Sequence, residues 1–393
     1  MPALQGPKSG IRNLKIDSKM KFIASSSTLL KKLSQLNGVV STNAVIPILE
    51  YFLFEVESGN LTITSTDLET SMRSSIPVES KEECRIAVPA KLIIDFLKTL
   101  PEQPITFTVN ADNNNIELTS DKGRYKISGE SPDDFPKMPE VEDASKIELS
   151  VPILQTAIYS AMFAISNNEL RPAMTGLYFD FTGGEAKWVS TDSNKLVKYT
   201  RRDIDFDQEA TFIVPKKALN LLKGTLPNED INLNLYYNSH NAQFKFQDFT
   251  MVCRLVDERF PNYDAAIPKE NPFNLTINRQ ELLGSLKRMA NFSNKTTYQV
   301  RFKMAGNELQ ITAQDIDFSN EAFERLPCDF QGDDMEIGFN ARFLSEMLSV
   351  IDTDEVVVNL SEPNKPGIVC PTGGSDDEDL MMLLMPIVLN TAS

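Results

Sequence analysis

Leu61-Thr62-Ile63-Thr64-Ser65-Thr66-Asp67 alternates apolar and polar residues and then breaks at an acidic turn. Alternation with period two is the mark of a strand with one buried face. The pattern returns as Ala186-Lys187-Trp188-Val189-Ser190-Thr191-Asp192 and as Leu309-Gln310-Ile311-Thr312-Ala313-Gln314-Asp315, placing the closing aspartates 125 and 123 residues apart. Three further marks keep the same order around it. Val88-Pro89-Ala90-Lys91, Val214-Pro215-Lys216-Lys217 and Phe339-Asn340-Ala341-Arg342 each end a strand and enter a helix. The apolar stripes of those helices are Ile93, Phe96, Leu97 and Leu100, then Leu219, Leu222 and Leu226, then Leu344, Met347, Leu348 and Ile351.

Each repeat also opens on a strand and helix: Phe22-Ile23-Ala24 before Leu29, Leu33 and Leu36; Ile147-Glu148-Leu149 before Leu154 and Ile158; Leu275-Thr276-Ile277 before Leu282 and Leu286. Each closes on Phe135-Pro136, Phe260-Pro261 or Met385-Pro386, 125 residues apart in both intervals. Four marks in one order, three times, predict three homologous domains. The fold class is α+β, each domain with two helices packed on antiparallel sheets of roughly eight short strands. Expected limits are a disordered leader over 1–19 and domains at 20–143, 144–269 and 270–390.

A chain of 393 residues, 41% hydrophobic and 24% charged, agrees with two or three cores rather than one. No run approaches the roughly 20 apolar residues of a membrane span, and residues 1–19 lack a signal peptide's apolar run, so a cytoplasmic location is expected. Cys84, Cys253, Cys328 and Cys370 are far apart in sequence and read as free thiols. His240, the one histidine, sits in a polar turn, which argues against a histidine-based triad or metal site. Asp67, Asp192 and Asp315 read as turn formers and 376–379 as a solvated acidic turn. No GxxxxGK[ST] loop is present. No cofactor, metal or catalytic residue is expected. A net charge of -16 opposes simple electrostatic DNA binding unless positive charge is confined to one face.

The three-domain plan, with Met20-Lys21-Phe22, Pro47-Ile48-Leu49, Thr66-Asp67-Leu68-Glu69, Arg171-Pro172, Arg259-Phe260-Pro261-Asn262-Tyr263 and Met385-Pro386-Ile387, resembles the bacterial sliding clamp family, the beta subunits of DNA polymerase III. The resemblance covers 20–390. It implies a head-to-tail homodimer, a six-domain ring with double-stranded DNA through its hole, bound without regard to sequence. It also implies that polymerase, loader and repair proteins dock through short peptides, and that the chain is not an enzyme. A ring holds DNA by enclosure, which reconciles net negative charge with a DNA partner.

Lys91, Lys217 and Arg342 occupy one equivalent helix position in the three repeats, and Lys31, Lys32, Lys287 and Arg288 lie on the polar sides of opening helices. These form the expected DNA-facing set. The resemblance adds Asn43, Asn168 and Arg171 as loop contacts. It places a peptide pocket at Met174, Thr191, Leu196, Pro261, Leu383, Met385, Pro386 and Ile387, with Pro386 expected to leave the chain end free. It places Tyr125, Ile127 and Phe292 at the dimer interface. A three-repeat peptide scaffold that ignores DNA, and an enzyme using carboxylates alone, remain as alternatives.

Overall fold

The computed structural model describes residues 19–42 and 44–389 and divides into two compact units, one ending at Met138 and the other beginning at Pro139. Residues 1–18 of the expected leader lie outside the described residues. Lys19 does not belong to a leader: it opens the first strand and pairs with Asn110.

In the first unit the strand Lys19–Ser25 runs into helix α1 (Ser26–Leu36), whose N-cap is Ser25. Its Oγ accepts from the Thr28 N–H, satisfying one of the free donors at the helix start. Leu29, Leu33 and Leu36, at spacings of four and three, are completely buried. One sheet has the order Glu79–Ser80, Lys19–Ser25, Pro104–Asn110, Asn115–Thr119, Arg124–Ser128. In the other, Tyr51–Glu57 lies between Asn60–Thr66 and Cys84–Pro89, and Thr70–Pro77 follows Asn60–Thr66. Ser58 and Gly59 both have positive φ, so the Tyr51–Glu57 hairpin closes in the tight turn that right-twisted strands prefer. Phe22 stacks on Phe107 at 4.6 Å between these layers. Helix α2 (Ala90–Lys98) departs from its expected stripe. Ile93 and Leu97 are core, but Ile94 completes the buried face while Phe96 and Leu100 are half-buried.

The second unit holds the other two repeats. Ser145–Ser150 leads into α3 (Val151–Ala161), Ala210–Pro215 into α4 (Lys216–Thr225), Phe273–Asn278 into α5 (Arg279–Phe292), and Met335–Asn340 into α6 (Ala341–Val350). Strand–helix junctions thus recur where the sequence places them. The repeats are joined by one antiparallel seam. Lys195–Arg201 pairs with Glu378–Leu384 from Lys195 opposite Leu384 to Arg201 opposite Glu378. The seam's far end is tied by side chains: Tyr199 donates to Glu378 (2.8 Å), as does Arg201 (3.1 Å). Trp188, the chain's one tryptophan, is fully buried beside Phe179, Phe181 and Tyr199, and its Nε1 has no hydrogen-bond partner.

Two of the three repeat aspartates hold turns. Asp67 accepts from the N–H groups of Glu69 and Thr70, and Asp192 from those of Asn194 and Lys195. Asp315 does not. The third hairpin stays paired through Asp315 opposite Asn320, which buries the carboxylate and leaves Oδ1 without a partner. Within 376–379, Asp376 and Asp377 are exposed, but Glu378 and Asp379 already belong to the seam strand. Among the described residues no group of acidic, cysteine and histidine side chains could hold a metal, and no helix is long and apolar enough to cross a membrane.

Candidate functional site

Past Leu384 the chain crosses the end of the third repeat. The Met385 N–H donates to the Asn194 carbonyl (2.9 Å) and the Ile387 N–H to the Gly338 carbonyl (2.8 Å). The end is therefore not free, contrary to the expectation built on Pro386. Gly338 makes the seat possible, because a Cβ there would strike the Ile387 carbonyl oxygen and the Leu389 side chain. Beneath lies an apolar cluster in which Leu196 and Leu383, partners across the seam, meet Val189, Ile213, Phe260, Tyr263 and Met381. Tyr178 stacks flat on Phe260 (4.5 Å), and the Tyr263 hydroxyl donates to Asp180 (2.7 Å). Burial, then that carboxylate, pushes the Tyr263 phenol above its ordinary range.

The residues expected in the pocket separate by depth. Thr191, Leu196 and Leu383 are buried; Met174, Pro261, Pro386 and Ile387 are half-buried, and Met385 is 41% exposed. A cleft of about 870 Å³ opens beside Pro261, lined by Tyr178, Asp180, Glu258, Arg259, Phe260 and Tyr263 among others; Pro261 alone of the expected pocket residues lines it.

The turn 191–195 gathers several of these groups. Ser193 adopts positive φ; its hydroxyl receives Arg171 (2.6 Å) and donates to the Met174 sulfur (3.5 Å). Arg171, expected among the DNA contacts, and Met174, expected in the pocket, thus meet at one hydroxyl. Asn168 turns its side-chain oxygen back to the Leu170 N–H (3.0 Å). Asn43 lies outside the described residues. Lys195 is 4% exposed, with its ammonium 2.7 Å from Glu346, 3.5 Å from Asp192 and 4.1 Å from the centre of the Phe343 ring.

Lys91, Lys217 and Arg342 are each exposed and each the second residue of its helix. Arg342 lies over Tyr298 at 3.6 Å, and Tyr298 holds a strained positive φ. Lys31 and Lys287 are exposed and Lys32 is half-buried. Arg288 is exposed and also ion-paired. Its guanidinium grips both Glu324 oxygens at 2.7 Å and holds that carboxyl below its ordinary range. Two strands lie at open sheet edges. Arg124–Ser128, at a sheet edge, exposes Arg124, Tyr125 and Lys126, with Ile127 half-buried. Asn320–Pro327, at the edge of a four-stranded sheet, exposes Glu321, Phe323 and Arg325. Phe292, the last residue of α5, is 44% exposed.

Three family models match in chain order: the N-terminal domain of the DNA polymerase III beta subunit over 20–139, the central domain over 148–262 and the C-terminal domain over 264–388. The chain belongs to this beta sliding clamp family. It is 30% identical over 372 residues to the beta sliding clamp of Vibrio cholerae, covering 94% of this chain and all of that one. Among solved structures, a sliding clamp from Pseudomonas aeruginosa bound to griselimycin superposes with a TM-score of 0.89 at 28% identity. One from Bartonella birtlesii, also bound to griselimycin, gives 0.89 at 25%. Both cover 94% of this chain and the whole of the other.

In this clamp, reading the sequence missed Phe343, Glu346, Tyr178 and Tyr263. None has a local signal. Phe343 and Glu346 fall on the side of α6 that faces the second repeat, and only the seam brings them to Lys195.

Proposed function

We propose that this clamp works as a head-to-tail homodimer that closes a six-domain ring around duplex DNA. The groove at 385–387 then tethers polymerase, loader and repair proteins through short peptides. The protein performs no reaction of its own and acts in the cytoplasm. One observation carries the DNA half of this reading: Lys91, Lys217 and Arg342 each stand second in a helix. A cation there opposes the helix dipole, at a cost of about 0.3–1 kcal/mol in each repeat. Three such placements make sense for a phosphate partner, which the side chain and the helix end both attract. With a net charge of -16 the chain lacks the field for tight binding, and enclosure does not require it.

Ring closure is supported by the two open edges. Arg124 and Lys126 on one complement Glu321 on the other, and Tyr125, Ile127 and Phe292 supply apolar surface beside them. An unpaired edge otherwise invites aggregation, and pairing in a second copy satisfies it. Lys31, Lys32 and Lys287 extend the DNA-facing set. Arg171, Asn168 and Arg288 extend it further, each also holding a contact within the chain: Ser193, the Leu170 N–H and Glu324.

Loading onto a nicked circular plasmid tests the reading. The clamp should stay on the circle in moderate salt and leave once a single cut supplies ends. Equal retention on cut and uncut DNA would mean that affinity, not enclosure, holds it.

A further inference from the structure

We infer that Lys195 is a positioning residue of the peptide groove, its buried ammonium setting the distance between the groove's two walls. The inference rests on the groove reading above and concerns how that groove is built. One wall is the turn 191–195 of the second repeat; the other is the tail 385–387 of the third. Nothing covalent near the groove fixes their spacing. The seam ends where Lys195 meets Leu384, one residue short of Met385. Beyond it, the backbone offers the hydrogen bond from Met385 to Asn194.

At that point the Lys195 side chain crosses from one repeat to the other. It is 4% exposed, unusual for lysine, which is seldom fully buried unless paired. Two partners belong to its own repeat: Asp192 at 3.5 Å and the Phe163 ring at 5.6 Å. Two belong to α6: Glu346 at 2.7 Å and the Phe343 ring at 4.1 Å. The element ahead of α6 is the strand Met335–Asn340, which contains Gly338, the seat of Ile387. One strand–helix element thus holds the tail at Gly338 and the cation at Phe343 and Glu346. Shifting α6 against the turn changes the spacing of both walls.

The two ends of the ion pair are not equivalent. The Glu346 side chain is 45% exposed and that of Lys195 is 5% exposed. Removing the cation leaves a carboxylate that water can solvate. Removing the Glu346 charge leaves the buried ammonium to Asp192 and the two rings, and loosens its hold on α6.

The test is calorimetric titration of the full chain with a Gln-Leu-x-Leu-Phe peptide, alongside thermal unfolding. Lys195→Met keeps an unbranched apolar side chain, shorter by the terminal nitrogen, and removes its charge; it should weaken binding by about ten-fold, the scale of coupling in such networks. Lys195→Arg should restore most of the affinity. Glu346→Gln should also weaken binding, and the double variant should bind no worse than the weaker-binding of the two single variants. Wild-type affinity in folded Lys195→Met, with only a lowered melting temperature, would make the cation a structural pin and overturn the inference. If Lys195→Met does not fold, wild-type affinity in Glu346→Gln overturns it equally. Failure of the wild-type chain to bind the peptide is a different result, and removes the groove reading itself.

Discussion

The Tyr125 ring leans on Phe96, with centroids 4.6 Å apart and planes tilted by 58°. Phe96 reads in the sequence as helix core, yet it is half-buried and supports an aromatic on the outermost strand. Neither ring is fully used within one chain. A tilted pair left partly exposed keeps apolar ring surface whose burial is favourable.

That pair bears on the proposed dimer. Phe292→Asp should give folded monomers, because a carboxylate cannot be desolvated against Tyr125 and Ile127 without a partner. Phe96→Ala should weaken the dimer without unfolding it, through loss of the support beneath Tyr125. Sedimentation equilibrium at low micromolar concentration decides both; an unchanged dimer in Phe292→Asp would contradict the assignment.

Reversing Lys91, Lys217 and Arg342 to Glu should cut clamp-dependent synthesis on a primed circle while the dimer persists. The salt dependence of DNA retention should also flatten, by up to about 0.9 in log–log slope for each phosphate that is no longer neutralised. The three helices should not weaken, since acidic residues suit a helix start. Unchanged retention and synthesis would remove these side chains from the DNA-facing set.

Much of this architecture was legible in the sequence, because strand–helix junctions and hairpin turns are local. Val88-Pro89-Ala90 and Val214-Pro215-Lys216 announce a strand end and a helix start without reference to the rest of the chain. The groove was legible only in part. Leu196 and Leu383 belong to alternating strands, but nothing in either segment says that they face each other across two repeats. Nothing in the segment around Lys195 announces that it is buried against Glu346, 151 residues away. Met385 matches Phe135 and Phe260 in register yet is 41% exposed where they are buried.

The tail makes a further expectation specific. Met385→Ala should cost a bound peptide about 2 kcal/mol, as an exposed anchor in an apolar groove does. Gly338→Ala should also weaken binding, by displacing Ile387 from its seat, although residue 338 need not touch the peptide. Titration with the same peptide, together with a sedimentation check that the dimer survives, distinguishes these effects from unfolding. Wild-type affinity in both variants would mean that the tail is merely core.

Alkaline stability offers a prediction independent of partners. Burial pushes the Cys84 and Cys253 thiols up to about 12 and those of Cys328 and Cys370 up to about 11, against 9.0 in a free side chain. The native state therefore holds protons that the unfolded chain releases above pH 9. Stability from these groups is complete below pH 9 and falls as pH rises toward 12, by on the order of 3 kcal/mol for a well-buried thiol. Tyr199 and Tyr263, raised by burial first and by a carboxylate second, act in the same direction. Urea midpoints should stay level from pH 7 to 9 and drop between 9 and 11. Rapid alkylation of Cys253 in native protein at pH 8 would contradict the burial on which this rests.

Trp188 gives the molecule an internal lamp. As the sole indole, enclosed by aromatic rings and bonded to no polar group, it should emit far to the blue, and every photon of tryptophan fluorescence reports the central domain alone. Its neighbour Tyr199 sends a hydroxyl across the seam to Glu378, so parting the last strand from the central sheet wets the indole's surroundings before the rest of that domain opens. A clamp loosening at this joint would thus redden without losing its helical signal, and a chain melting as a whole would change both together.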